Sequence, residues 1–124
     1  AEAAQRRQFE QTIGSFQAIR HLLADMYDKV ESSWSSVLYA SALLDERELD
    51  GLRTASIAKA YAARATHDVA HGALQVFGGI AFTAEHAAHR YLRRIAVRAG
   101  QFGTASEHEH ALGRSLARGL EVMA

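Results

Sequence analysis

The sequence predicts an all-α protein, an up-and-down bundle of four helices forming one domain over residues 1–124. Three observations predict it. Proline is absent from the 124 residues, so no position breaks a helix by removing an N–H or clashing with the preceding turn. Alanine recurs throughout and 48% of residues are hydrophobic, a composition rich in the strongest helix former. Apolar residues also recur at spacings of three, four and seven over long stretches, the pattern of helices with a buried face. A chain of this length can bury roughly two-thirds of its unfolded surface around one core.

Residues Ala1 to Arg7, rich in Ala and Gln with no N-cap ahead of them, read as the closing turns of a helix. With Ala1 in place of an initiating Met, this suggests a fragment of a longer subunit. Between Gln8 and Gly14, residues Phe9, Ile13 and Gly14 fit neither helical nor strand periodicity, so a connecting loop is expected. Ser15 can cap a helix running to Leu44. Its stripe of Phe16, Ile19, Leu22, Leu23, Met26, Val30, Val37 and Leu44 is expected to bury one face, with Trp34 in the core beside it. Arg20, Asp25, Asp28, Lys29 and Glu31 form the solvated face. The polar stretch Asp45 to Gly51 is the turn. A second helix, Leu52 to Phe77, is apolar almost all round, which places it inside a bundle or between subunits. Its small residues let neighbouring helices approach closely.

The segment Gln75 to His86 then makes a corner. Gly78 and Gly79 end the helix, because glycine tolerates positive φ and lets other atoms approach the backbone. Thr83 reads as the N-cap of a third helix, Ala84 to Ala99, closed by Gly100. Its arginines Arg90, Arg93, Arg94 and Arg98 complement the helix dipole and present guanidinium groups to solvent, carboxylates or phosphates. Gln101 to Ala105 connects to a fourth helix, Ser106 to Val122. There Ser106 and Glu109 have capping-box spacing, and Leu112, Leu116 and Leu120 share one side. Short links imply antiparallel neighbours.

Composition excludes several function classes. The 14 basic and 14 acidic residues cancel, leaving no overall field for nucleic acid or an anionic membrane. The absence of cysteine removes disulfides, thiolate metal sites and a cysteine nucleophile. No apolar run approaches the ~20 residues of a membrane span, and no signal segment opens the chain, so a soluble, cytoplasmic protein is expected. Paired carboxylates, a Ser/His/Asp arrangement and a phosphate loop are not recognisable. Gly78 and Gly79 are no dinucleotide fingerprint, since no strand precedes them. Among the seven histidines, His67 and His71 stand at i, i+4 and His86 and His89 at i, i+3, spacings at which imidazoles can share a cation. No Glu-x-x-His pair occurs twice, as a di-iron bundle would require. One functional reading is therefore a non-enzymatic helical interaction module, binding a metal through His67 and His71. Surface or interface histidines are the simpler account.

Three stretches together carry a family resemblance. Arg6-Arg7-Gln8-Phe9-Glu10-Gln11-Thr12-Ile13-Gly14-Ser15-Phe16-Gln17-Ala18-Ile19 is similar to an Arg-x-Gln/Thr-Phe-Gly, Ile-Gly, Phe-Gln-Ala-Ile pattern. Ser56-Ile57-Ala58-Lys59 with the corner Gln75 to His86 resembles a Gln-x-x-Gly-Gly-x-Gly-Phe, Thr-Glu-His/Tyr pattern. Tyr91-Leu92-Arg93-Arg94 resembles the arginine-bearing turn that follows. In this order they resemble the C-terminal helical domain of the acyl-CoA dehydrogenase family of flavoproteins, over almost the whole chain.

The resemblance implies a helical domain that builds an oligomer with other acyl-CoA dehydrogenase subunits and half of an FAD site. It also implies an enzyme assembly that oxidises an acyl-CoA to its 2,3-enoyl form, with a carboxylate removing the α proton. It further implies that Arg6, Gln8, Phe9, Phe16, Gln17, Gln75, Gly78 and Gly79 reach the FAD of a neighbouring subunit. Departures accompany the matches. Glu10 and Ala81 stand where the family has glycine. Counted from Arg94, Gly103 stands at the catalytic glutamate of the family's Tyr-Glu-Gly-Thr-Ser/Asn-Gln segment, and Glu107 replaces the following Gln. No catalytic residue is therefore assigned in this chain, and alone it is expected to be inactive. Either the base lies upstream of Ala1, or the subunit has lost its own site and clamps a partner's FAD in a heteromeric assembly such as a heterotetramer. The second accounts for losses confined to the own-site segment.

Overall fold

The computed structural model describes residues 7–8, 11–12, 16–48, 50–78 and 88–123. The expected all-α bundle forms: helices α1 (Gln17–Asp45), α2 (Gly51–Phe77), α3 (Ala88–Gly100) and α4 (Ala105–Met123) follow one another. Ahead of them, β1 (Arg7–Gln8) and β2 (Gln11–Thr12) pair antiparallel, Arg7 opposite Thr12 and Gln8 opposite Gln11. This corrects two expectations, a helix closing at Arg7 and an unpaired loop from Gln8. Reversing direction lets main-chain donors and acceptors satisfy one another across the short ladder. The expected helix over residues 1–6, the cap at Ser15, and Thr83 with the helix start at Ala84 lie outside the described residues.

Helix α1 begins after Phe16, whose extended backbone (φ −69°, ψ 129°) leaves its carbonyl to accept from the Arg20 N–H at 3.1 Å. At its other end Arg47 adopts φ 57°. The Glu48 N–H reaches the Leu43 carbonyl at 2.9 Å and the Arg47 N–H the Leu44 carbonyl at 3.2 Å. This pair of bonds is a Schellman closure, here with arginine at the position that usually takes glycine, and it turns the chain into α2.

Helix α2 is the element against which α1, α3 and α4 all pack. Polar links tie it to each of the other helices. Lys29 on α1 meets Asp68 at 2.6 Å. Lys59 donates from Nζ to the Arg98 and Ala99 carbonyls at 3.2 and 3.1 Å, satisfying the C-terminal end of α3 with a cation where the dipole favours one. Arg64 grips the Glu109 carboxylate on α4 with two nitrogens.

The apolar core is made of small side chains: Ala40, Ala58, Ala60, Ala65, Ala70 and Val76 are buried. Small residues bring backbones together, and a Cβ built on buried Gly72 would stand 2.9 Å from Met26 Sδ and 3.3 Å from Leu22 Cδ1. The expected buried stripe of α1 is accordingly divided. Ile19, Leu22 and Met26 are half-buried, whereas Leu23, Val30, Val37 and Leu44 are exposed, and Trp34 is 62% exposed rather than in the core. The reason is angular. Leu23, Val30 and Val37 recur every seventh residue and, with Tyr27 and Trp34 between them, form a coiled-coil-like seam set to one side of α2, while Leu44 continues the spacing and meets Gly51 at the turn. The chain presents 9346 Å² to solvent, against roughly 6,600 Å² for a folded monomer of its mass.

Candidate functional site

Of the residues expected to form a site, Phe16, Gln17, Gln75 and Gly78 come to one end of the bundle. Contacts along α1 and α2 establish this: Leu44 lies against Gly51, Lys29 against Asp68, and Met26 with Leu22 against Gly72. The start of α1 therefore stands at the end of α2. Phe16 is half-buried and Gln17 exposed, and Gln75 is exposed on the last turn of α2. Gly78 caps α2 at φ 63°, ψ −147°, its N–H donating to the Leu74 carbonyl. That backbone shape is one a Cβ strongly disfavours, so the glycine break read from the sequence is present at Gly78. Gln8 lies in β1, paired with Gln11. Arg6, Phe9 and Gly79 lie outside the described residues.

A second local arrangement is the turn between α3 and α4. Gly100 was expected to close α3 but remains its last helical residue. The left-handed turn falls instead at Phe102 (φ 59°) and Gly103 (φ 96°). A Cβ on Gly103 would lie 3.0 Å from Nε2 of His108. That nitrogen sits 2.9 Å from the Phe102 carbonyl, which can only accept, so His108 donates from Nε2. Helix α4 then starts one residue earlier than expected, and its cap is Thr104 with Glu107, not Ser106 with Glu109. The Thr104 N–H donates to the Glu107 carboxylate at 2.7 Å and its hydroxyl does so at 2.9 Å, while the Glu107 N–H reaches the Thr104 hydroxyl at 3.3 Å. These bonds, the backbone one foremost, hold the Glu107 carboxyl below its usual range. Both pairs have the same spacing in the sequence. Thr104 prevails because Ser106 is already inside the helix, and Glu109 is taken by Arg64, whose hydrogen bonds depress the Glu109 carboxyl in turn.

Beside this turn, a cleft of about 640 Å³ is lined by Arg64, His67, Asp68, Ala99, Gly100 and Thr104. It stands partway along α2, away from the Gln75–Gly78 end. The rings of His67 and His71 lie 4.2 Å apart and tilted by 37°. Nδ1 of His71 donates to the His67 carbonyl at 2.9 Å, leaving only its Nε2 for a cation. Among the described residues no three His, Cys, Asp or Glu are grouped to hold a metal, and His86 lies outside them. Among the described residues no helix is long and apolar enough to cross a membrane.

Comparison with known proteins agrees with this architecture. Residues 1–117 match the family model described as acyl-CoA dehydrogenase, C-terminal domain. The chain is 44% identical over 98 residues to acyl-CoA dehydrogenase FadE34 of Mycobacterium tuberculosis, covering 76% of this chain and 13% of that protein. The ChsE4–ChsE5 complex from Mycobacterium tuberculosis has a chain that superposes with a TM-score of 0.85 at 33% identity, over 94% of this chain and 31% of that one. The FAD complex of PigA shares the fold, with a TM-score of 0.86 at 24% identity over 94% of this chain and 30% of that one. The chain thus spans less than a third of each of these proteins.

Proposed function

The chain belongs to the acyl-CoA dehydrogenase family, with its C-terminal domain as the matching part, and from that premise we propose that it oligomerises a flavin-dependent acyl-CoA dehydrogenase and clamps FAD across a subunit interface. The observation that carries the proposal is the glycine break at Gly78, at the same end of the bundle as the start of α1. Phe16, Gln17, Gln75 and Gly78 share that end, and Gly78 presents main chain without a Cβ in the left-handed region. This fits a cofactor whose pyrophosphate and planar ring need close backbone approach. Exposed amides at Gln17 and Gln75 can donate and accept hydrogen bonds at its polar edges. Arg6 supplies a guanidinium suited to pyrophosphate, and Gln8, Phe9 and Gly79 complete the clamp. When bound, FAD accepts the hydride in the dehydrogenation of an acyl-CoA thioester. This chain's residues hold and orient it.

The chain's own base position is vacant. Ungapped counting from Arg94 places Gly103 there. Laying Gly103 and Thr104 on the Gly-Thr of the motif places Phe102 there instead. Neither side chain can take a proton, and the nearby Glu107 carboxylate is committed to the cap of α4. The subunit therefore serves a partner's site within a heteromeric assembly, in the soluble cytoplasm, and the exposed seam of α1 belongs to the subunit contacts.

The test is flavin retention. In the assembled enzyme Arg6→Ala should lower the FAD retained after gel filtration, with subunit composition unchanged; unaltered retention would count against the clamp. A homotetramer with one FAD per subunit and full activity would sink the heteromeric reading.

A further inference from the structure

We propose that the cleft between α2 and α3 is an anion site, in which Arg94 and Arg98 of α3 and Lys59 of α2 hold a phosphate group of a small ligand. The cleft has a volume of about 320 Å³, near the lower end of the range in which small molecules bind. Besides these three cations it is lined by Thr66, by alanines and by Ile95, and among the described residues no carboxylate lines it. The site shares no residue with the proposed FAD clamp. Thr66 precedes Gln75 by roughly 14 Å of helix axis, and the inference stands apart from the clamp reading.

The charge gathered there is not neutralised by neighbouring carboxylates. Elsewhere cations meet acids, as Lys29 meets Asp68, Arg53 meets Asp50 and Arg64 meets Glu109. Among the described residues Arg94 and Arg98 have no such partner. Helix α3 carries four arginines and neither Asp nor Glu. Arg94 and Arg98 stand at i, i+4, where like charges destabilise a helix. The helix dipole accounts for Arg98, in the last turn, but its effect fades before Arg94. An anion between the two guanidinium groups would turn that repulsion into attraction. The carbonyl end of α3 would oppose an anion, and Lys59 offsets this: Nζ donates to the Arg98 and Ala99 carbonyls at 3.2 and 3.1 Å. An ammonium group has three donors, so one remains for the ligand. Guanidinium forks match phosphate oxygens in pairs, and the alanines and Ile95 offer contact to the apolar body that carries the phosphate.

The experiment uses the full-length subunit purified with its partners, titrated calorimetrically at low ionic strength with inorganic pyrophosphate and, separately, with orthophosphate. Sodium chloride at matched ionic strength is the control. One equivalent per copy of this chain is expected. Arg94→Gln and Arg98→Gln should each weaken binding by about tenfold or more, the loss of a charged hydrogen-bond pair. Arg90→Gln, on the same helix but outside the cleft, should leave it unchanged. Orthophosphate binding with this variant pattern points to a single phosphate group, and pyrophosphate binding alone to a diphosphate. Glutamine is close to arginine as a helix former, and with the anion absent Arg94→Gln should melt at or above the native temperature, since a like-charge neighbour is gone. Added pyrophosphate should raise the native melting temperature and leave that of Arg94→Gln unmoved. No binding of either anion, or equal weakening by Arg90→Gln, would overturn the site. So would altered subunit composition in the Arg94 and Arg98 variants with anion binding intact, which would give the arginines to a protein partner. Flavin content of the same preparations reads the clamp separately: FAD lost from Arg94→Gln would overturn an independent anion site, whereas a native assembly without FAD would defeat the clamp and leave the titration informative.

Discussion

Gly72 sets how closely α1 and α2 approach, and enlarging it provides a sharp test of the packing that brings Phe16 and Gln17 to the Gln75–Gly78 end. The added Cβ of Gly72→Ala would fall 2.9 Å from Met26 Sδ, 3.2 Å from Met26 Cγ and 3.3 Å from Leu22 Cδ1. Met26 is flexible and can swing aside, and alanine gains about 0.8–1.0 kcal/mol of helix propensity over glycine, so this variant should lie within about 1 kcal/mol of the native protein. Gly72→Leu drives further carbons along the same vector, into Leu22 and the α1 backbone. Overpacking of this kind costs about 1–3 kcal/mol, or a melting temperature lowered by about 3–10 °C for a domain of this size. Thermal unfolding followed by far-UV circular dichroism on the assembled protein measures both. A leucine variant melting at or above the native temperature would show that α1 and α2 do not meet at Gly72. A normal alanine variant beside a destabilised leucine variant with lowered flavin retention would tie the helix spacing to the clamp.

Removing the α4 cap with Thr104→Ala should cost about 0.5–2 kcal/mol, read by chemical denaturation, and an unchanged midpoint would show that the Thr104–Glu107 bonds contribute nothing. The pH dependence follows from the depressed carboxyls of Asp68, Glu107 and Glu109. A folded pKa below the unfolded value gives stability that is present above the ordinary carboxylate range and is lost as pH falls through the folded value. Melting temperature should therefore drop below about pH 4, and Asp68→Asn or Glu109→Gln should flatten that acid limb; variants that track the native profile would refute the assignment. Lys29, raised chiefly by its hydrogen bond to Asp68, keeps its contribution until pH climbs past the ordinary lysine range, so neutral-pH melting should not vary through it.

The bundle was legible in the sequence because period and punctuation agreed. Helices expected at residues 15–44 and 52–77 appear as Gln17–Asp45 and Gly51–Phe77, bounded by a polar turn and a glycine break. What covers a face was not legible. Periodicity shows that Leu23, Val30, Val37 and Leu44 lie together, but not whether α2 or a separate surface meets them, and the alanines and Gly72 win the α2 contact because they admit a closer backbone. Local choices between equal signals were also hidden. Thr104-Ala105-Ser106-Glu107 and Ser106-Glu107-His108-Glu109 both offer a capping box, and the left-handed turn at Phe102 and Gly103 decides between them. The residues proposed to clamp FAD came from the resemblance; elementary chemistry at Gly78 is compatible with that role but would not have singled out FAD.

Among the described residues, an interior of alanine, glycine, one serine and one valine reverses the usual direction of mutational risk. Truncation has little to remove there, since the buried side chains are already close to the smallest available, so cavity formation is a minor route to damage. Enlargement is the dangerous change, and it acts by forcing whole helices apart. The bulky residues sit outside, on the α1 seam and at Phe102, where sequence drift is felt only through whatever touches them. Such a domain can hold its helical frame constant while its outer face is re-cut for a different neighbour.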